Sequence, residues 1–334
     1  MAGCGQGQVA VRPPVVASAR TVVEVVDLTG DRPRSTTVVT DLAAPYRARV
    51  LTYEGASEQG RSLGGSAWDE TGVYTLGPDG SAAQTEYLAA GFAGPANHLL
   101  LALPVAERQL LVTRLGAGQS RGRPCQRWLS LLPLDGAPFT AATGADRTES
   151  CVDRAGQVLS ELWTVAGKAI RTRTLTAVRP GPDLAGLGLF DQRRPVALPT
   201  SGSAYVVTVS SAEKLAALLQ IPVPTGPVGL TADRSVAGLD VDAQRQGFSR
   251  EAAVLTWTGP AQLVVLRIER DLTGSGGRTV RGDPVDLGVL GTGRLEPVLA
   301  GLRVTVPGPR GLRLVATADL PEPALLAWLR TLRF

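Results

Sequence analysis

Apolar and polar residues alternate along much of this chain. Leu302-Arg303-Val304-Thr305-Val306 alternates strictly, Leu312-Arg313-Leu314 repeats the pattern, and Tyr46-Arg47-Ala48-Arg49-Val50 does the same. From Leu263 to Glu269, the residues Val264, Leu266 and Ile268 share one parity. A period of two predicts strands with one face covered and one face wet. Turn signals bracket these runs: Gly77-Pro78-Asp79-Gly80, Asp135-Gly136, Gly116-Ala117-Gly118, Gly274-Ser275-Gly276-Gly277 and Pro307-Gly308-Pro309. Strands follow strands, so an antiparallel meander is expected rather than alternating strands and helices.

Helical signals are few. Ser210-Ser211-Ala212-Glu213 has the form of a capping box, with Leu215, Leu218 and Leu219 following on one face. Asp319-Leu320-Pro321-Glu322 opens a last helix, with its proline where a missing N–H costs nothing. Leu325, Trp328, Leu329 and Leu332 form its apolar stripe, and Arg330 and Arg333 suit its C-terminal end. Thr85 to Ala93 is a weaker candidate. Asn97-His98-Leu99-Leu100-Leu101 reads as the start of a strand, in an apolar run to Ala106 that Pro104 interrupts.

A chain of 334 residues and 34.8 kDa exceeds the size at which one core stops growing, so two domains are expected. A hydrophobic fraction of 44% with only 19% charged residues excludes wholesale disorder. Residues 1–20, with Pro13-Pro14 and many small residues, read as a tether. Residues 21–195 read as a first β domain and 203–334 as a smaller β-rich domain ending in a helix. The break falls among Arg179-Pro180-Gly181-Pro182, Gln192-Arg193-Arg194-Pro195 and Pro199-Thr200-Ser201-Gly202. A second Pro-rich stretch, Ile221 to Pro227, is the alternative boundary.

The net charge of +4 is spread among acids, apart from the small pairs Arg121/Arg123 and Arg193/Arg194. A nucleic-acid footprint needs a basic stripe, so no nucleic-acid partner is expected. No apolar run approaches the roughly 18 residues of a membrane span. The opening Met1-Ala2-Gly3-Cys4-Gly5 resembles the end of a bacterial lipoprotein signal, with Met1 in place of the usual Leu. On that reading Cys4 carries the lipid and anchors the protein to a membrane outside the cytoplasm; the other reading is an unmodified Cys in a tail. Cys125 and Cys151 then remain as a pair with none left over, and a disulfide between them suits that compartment. The alternative is two buried thiols in a reducing one.

Catalytic constellations are weak. Gly60-Arg61-Ser62-Leu63-Gly64 matches G-x-S-x-G, but a nucleophile elbow needs a buried strand before it and a helix after it. The residues before it are polar, and those after it are Gly64-Gly65-Ser66. The single histidine, His98, reads as structural. Asp27-Leu28-Thr29-Gly30 and Asp271-Leu272-Thr273-Gly274 depart from an aspartic dyad by the inserted Leu, and they read as strand-ending turns. No cysteine or histidine spacing suggests a metal, and no cofactor is expected. The chain is read as a non-enzyme. Its five tryptophans read as core, or as walls of an apolar cavity between a curved sheet and covering helices.

Gly122-Arg123-Pro124-Cys125-Gln126-Arg127-Trp128, with Cys151-Val152-Asp153-Arg154-Ala155-Gly156-Gln157-Val158-Leu159-Ser160-Glu161-Leu162-Trp163, places a strand, an Asp-x-x-Gly turn and a Val-Leu-x-Glu-x-Trp strand in order. This resembles the hairpins of the LolA-like superfamily over residues 35–180. That superfamily includes the periplasmic lipoprotein carrier, RseB/MucB regulators of envelope stress and lipid-binding lipoproteins of actinobacteria. The resemblance implies a mainly β (α+β) fold, a curved antiparallel half-barrel closed by helices over an apolar cavity. It implies binding of a lipid or lipopeptide, and sensing or regulating a membrane-protein partner. Apolar positions on the expected strands nominate Leu51, Trp68, Leu101, Trp128 and Trp163 as cavity walls. The rival reading is a protein-interaction scaffold lipoprotein of the envelope without a small ligand.

Overall fold

The computed structural model describes residues 18–43, 47–68, 73–86, 97–130, 145–181, 203–208, 222, 224–242, 248–259, 262–271, 282–298, 301–308 and 312–333. Strands β1 (Ser18–Asp27), β2 (Arg34–Ala43), β3 (Arg47–Glu54), β4 (Ser62–Trp68), β5 (Val73–Leu76) and β6 (Ala82–Glu86) form one meander. Helix α1 (Asn97–Arg108) precedes a second: β7 (Val112–Ser120), β8 (Arg123–Ser130), β9 (Arg147–Val152), β10 (Val158–Val165) and β11 (Lys168–Pro180). The two meanders join through β1 and β11 into an 11-stranded antiparallel sheet, ordered β6-β5-β4-β3-β2-β1-β11-β10-β9-β8-β7.

The rest of the chain forms an 8-stranded antiparallel sheet. It comprises β12 (Ser203–Thr208), β13 (Thr231–Asp242), β14 (Phe248–Gly259), β15 (Gln262–Asp271), β16 (Asp283–Asp286), β17 (Thr292–Val298), β18 (Gly301–Pro307) and β19 (Leu312–Ala318). Their order is β12-β13-β14-β15-β19-β18-β17-β16. Helix α2 (Glu322–Leu329) closes the chain. Both sheets are curved and open, so the mainly β architecture of the sequence reading stands. Its alternating runs at 263–269, 302–306 and 312–314 lie in β15, β18 and β19, and of the run 46–50 residues 47–50 lie in β3 while Tyr46 is outside the described residues.

The topology accounts for the position of α1. Strands β6 and β7 are opposite edges of the large sheet, so their connection must cross its full width. Leu99, Ala102, Leu103 and Ala106 recur at helical spacing and pack on Val112, Trp128, Val152 and Val158. Val105, on another side of the same helix, joins the core of the second sheet with Leu295, Leu302 and Val304. A helix apolar on two sides thus lies between two sheets. The sequence reading of 97–101 as a strand is corrected here, and so is the placement of Leu101 on one. A continuous apolar run does not separate helix from strand by periodicity. Pro104 lies inside α1, on its exposed side.

The second core gathers β15, β18, β19 and α2. Trp257 and Trp328 meet edge to face, with centroids 5.6 Å apart. Trp328 donates through Nε1 to the Thr225 carbonyl at 2.8 Å. A Cβ at Gly226 would lie 2.2 Å from the Trp257 ring, so only glycine fits there. The stripe Leu325, Trp328, Leu329 and Leu332 expected of the last helix is buried here.

Strand β1 begins at Ser18, so Ser18, Ala19 and Arg20, expected in the tether, are strand. Cys4, the capping-box segment 210–219 and the linker segments 192–195 and 199–202 lie outside the described residues. Of the weak helix candidate 85–93, Thr85 and Glu86 end β6 and the rest lies outside them. Cys125 and Cys151 are disulfide-bonded across β8 and β9, with Cα atoms 5.5 Å apart.

Candidate functional site

Register aligns side chains into rows across one face of the large sheet. One row runs Asp27 (β1), Arg171 (β11), Trp163 (β10), Thr148 (β9), Ser130 (β8) and Val112 (β7). The next runs Val25, Arg173, Glu161, Ser150, Trp128 and Arg114 in the same strand order. Beyond it, Val23 and Leu175 continue the rows and join an apolar cluster with Leu159 and Cys151, against which Val25, Val38 and Cys125 pack; Cys151 and Cys125 are out of phase with Ser150 and Trp128. The α1 helix covers the Val112 and Trp128 ends of the first two rows.

The middle row is charged, and its Glu161, Ser150 and Trp128 are buried. Ser150 donates through Oγ to Glu161 Oε1 at 2.9 Å, and Arg173 Nη1 lies 3.9 Å from Glu161 Oε2. Burial pulls the Arg173 guanidinium down to about 10. Two charges held in a dry sheet face need each other's field to offset their lost hydration.

The outer row is mixed. The Arg171 guanidinium lies 4.9 Å from the centroid of the Trp163 ring and 3.5 Å from Asp27 Oδ2. Hydrogen bonds from the Thr29 hydroxyl and N–H hold the Asp27 carboxyl below its ordinary range. Trp163 Nε1 and Thr148 Oγ1 are both buried without a hydrogen-bond partner among the described residues. Their residues are directly opposite on β10 and β9. Indole N–H only donates, and a threonine hydroxyl can also donate. A carbonyl oxygen reaching both would satisfy the two together.

The five nominated wall residues are distributed as follows. Trp128 is 5% exposed in the cluster under α1, stacked by Arg114 at 4.9 Å. Trp163 is half-buried one row away. Leu101 is half-buried on α1, one turn before Val105. Leu51 pairs with Val39, which pairs with Val22, whereas the Trp163 row reaches β1 at Asp27. An odd number of steps along β1 separates Val22 from Asp27, so Leu51 occupies the opposite face. That face carries the ion pairs of Asp41 with Arg20 and Arg49. Trp68 takes the register position opposite Ala48, out of phase with Leu51.

Sequence reasoning missed Thr148, Ser150, Arg171 and Arg173. The available signal was Arg171-Thr172-Arg173, which sets two cations on one face of a strand. Ser62 begins β4, where its Oγ accepts from Gly64 N–H, so the G-x-S-x-G match is a strand entry. His98 lies in the first turn of α1. Among the described residues, no three His, Cys, Asp or Glu side chains gather to hold a metal ion, and no helix is long and apolar enough to cross a membrane.

No family model and no curated protein matches this chain. Among solved structures, the Pseudomonas aeruginosa MucA/MucB complex is similar at 12% identity and TM-score 0.31, over 93% of this chain and 91% of that one. A structure of MucB with MucA(peri) is similar at 14% identity and TM-score 0.30, over 94% and 92%. A putative outer membrane lipoprotein-sorting protein domain from Vibrio parahaemolyticus gives 9% identity and TM-score 0.24, over 53% of this chain and 90% of that one. Overlap at this level assigns the chain to no family.

Proposed function

We propose that this chain is a non-enzymatic lipoprotein of the cell envelope that binds a lipid or lipopeptide on the α1-covered face of the large sheet. Cys4 carries its anchor, the residues before Ser18 tether it, the unit from β1 to residue 195 holds the ligand, 203–334 form the smaller unit, and the protein senses or regulates a membrane-protein partner. The observation that carries the reading is the juxtaposition of Trp163 Nε1 and Thr148 Oγ1, on residues opposite in register and neither with a hydrogen-bond partner among the described residues. These are two buried donors on facing strands, beside an aromatic ring and two rows from an apolar cluster, with the Arg173–Glu161 row between them. An ester or amide carbonyl accepts from both, and the attached acyl chain lies along the apolar cluster. Burial of each methylene then contributes about 0.8 kcal/mol. The Cys125–Cys151 bond supports a compartment outside the reducing cytoplasm.

The test is native mass spectrometry of the purified full chain, followed by denaturation and lipid extraction of the same sample. A near-stoichiometric amphiphile, reduced in the Trp163→Phe variant, supports the reading. A clean apo mass, unchanged after incubation with envelope extract, overturns it.

A further inference from the structure

A second surface lies at the β7 edge of the large sheet, apart from the Trp163 row. Among the described residues β7 has one strand neighbour, β8, and of its nine residues only Val112 is buried. The outer backbone groups of such a strand are a template for another strand. Gly116, Ala117 and Gly118 leave it little side-chain bulk, and a Cβ at Gly116 would meet nothing within 4 Å.

Three leucines stand at the start of this edge. Leu110 is 90% exposed and holds a φ of 58°, while Leu111 and Leu115 are 39% and 38% exposed. Leu110 occupies the left-handed position that ends α1: its N–H donates to the Glu107 carbonyl, and Leu111 N–H to that of Ala106. Glycine is the usual residue there, and a leucine is held in it under backbone strain. Leu110 thus combines backbone strain with an exposed apolar side chain.

Charge selects the occupant. Residues 112–130 contain Arg114, Arg121, Arg123 and Arg127 and no acid. Their carboxylate partners, Glu107, Glu24, Asp153 and Glu149, come from other elements. In each pair the guanidinium is the more exposed member, so the cations face outward. Two copies pairing through β7 would oppose one set of arginines with another, which is unfavourable. A lipid surface offers nothing that continues a strand ladder.

We infer that β7 accepts, as an added strand, an extended acidic segment of a partner protein whose alternate apolar residues cover Leu110, Leu111 and Leu115. Backbone pairing supplies affinity, and the leucines and arginines supply selectivity.

The test titrates the full chain with a labelled peptide of alternating Glu and Val, with a Lys/Val peptide as control. Binding of the acidic peptide, slowed amide exchange along β7, and a loss of about tenfold in affinity in both Leu115→Ser and the double variant Arg121→Gln/Arg123→Gln are expected. Lipid occupancy should be unchanged in these variants, which keeps this surface distinguishable from the lipid site. Equal affinity for the Lys/Val peptide, β7 amides unprotected in the complex, concentration-dependent dimerisation of the free chain through this edge, or preferential binding to phosphatidylglycerol vesicles would each overturn it.

Discussion

Gln109 donates its side-chain amide to the backbone carbonyl of Leu295 at 2.8 Å, joining the end of α1 to β17 of the other sheet. Beside it, Arg108 reaches Asp283 at 3.1 Å and Glu322 at 3.1 Å. With Val105 in the second core, these contacts make α1 a shared element of both halves.

Gln109→Ala removes that donor and leaves a part-buried carbonyl without it. The expected cost is about 1 kcal/mol. It is checked by urea denaturation of the full chain. A change within error would mean that the bond contributes nothing net between the sheets.

Cys125→Ser and Cys151→Ser should destabilise equally, each by about 3.5 kcal/mol, because the bond closes a sequence separation of 26 residues. The double variant should lose no more than either single one. Calorimetry on the three variants checks this, and additive losses would refute the pairing.

Asp41 is buried between Arg20 and Arg49, with contacts of 2.6 Å and 2.7 Å. Burial raises its carboxyl pKa. Hydrogen bonds from the two arginines and their charges outweigh that and leave it below the ordinary value. Its contribution to stability is therefore complete above the unfolded value of about 3.9 and is lost as pH falls through the lower folded value. Asp41→Asn should cost about 3 kcal/mol near neutrality and progressively less in acid. Urea midpoints measured from neutral pH down to about pH 2 would show the two curves converge; parallel curves would contradict the ion-pair account.

Thr148→Val replaces a buried hydroxyl that has no hydrogen-bond partner among the described residues with a methyl of similar size. The fold should be unchanged or more stable, since no bond is lost and a desolvated polar group is removed. Ligand occupancy should fall by about tenfold, the equivalent of one good hydrogen bond. Extracted lipid and thermal midpoint, measured on one preparation, separate the two effects. Undiminished occupancy would remove Thr148 from the site.

Alternation at 302–306, 312–314 and 263–269 was enough to read half-buried strands, because a strand sends neighbouring residues to opposite faces wherever it lies. The stripe of α2 and the Asp153-to-Gly156 turn, where Asp153 Oδ1 accepts from Ala155 and Gln157 N–H, were legible for the same local reason. Helix α1 was not, since a helix packed on two sheets carries apolar residues on more than one side and loses its periodic signature. Nor was the Trp163 row. Which of Leu51, Trp128 and Trp163 share a face depends on the pairing of β1 with β11, whose residues lie far apart in sequence. Local pattern determined which residues alternate, and therefore that the protein is built of antiparallel strands. Long-range register alone decided which alternating positions meet, because one residue's slip in pairing exchanges the two faces of a strand.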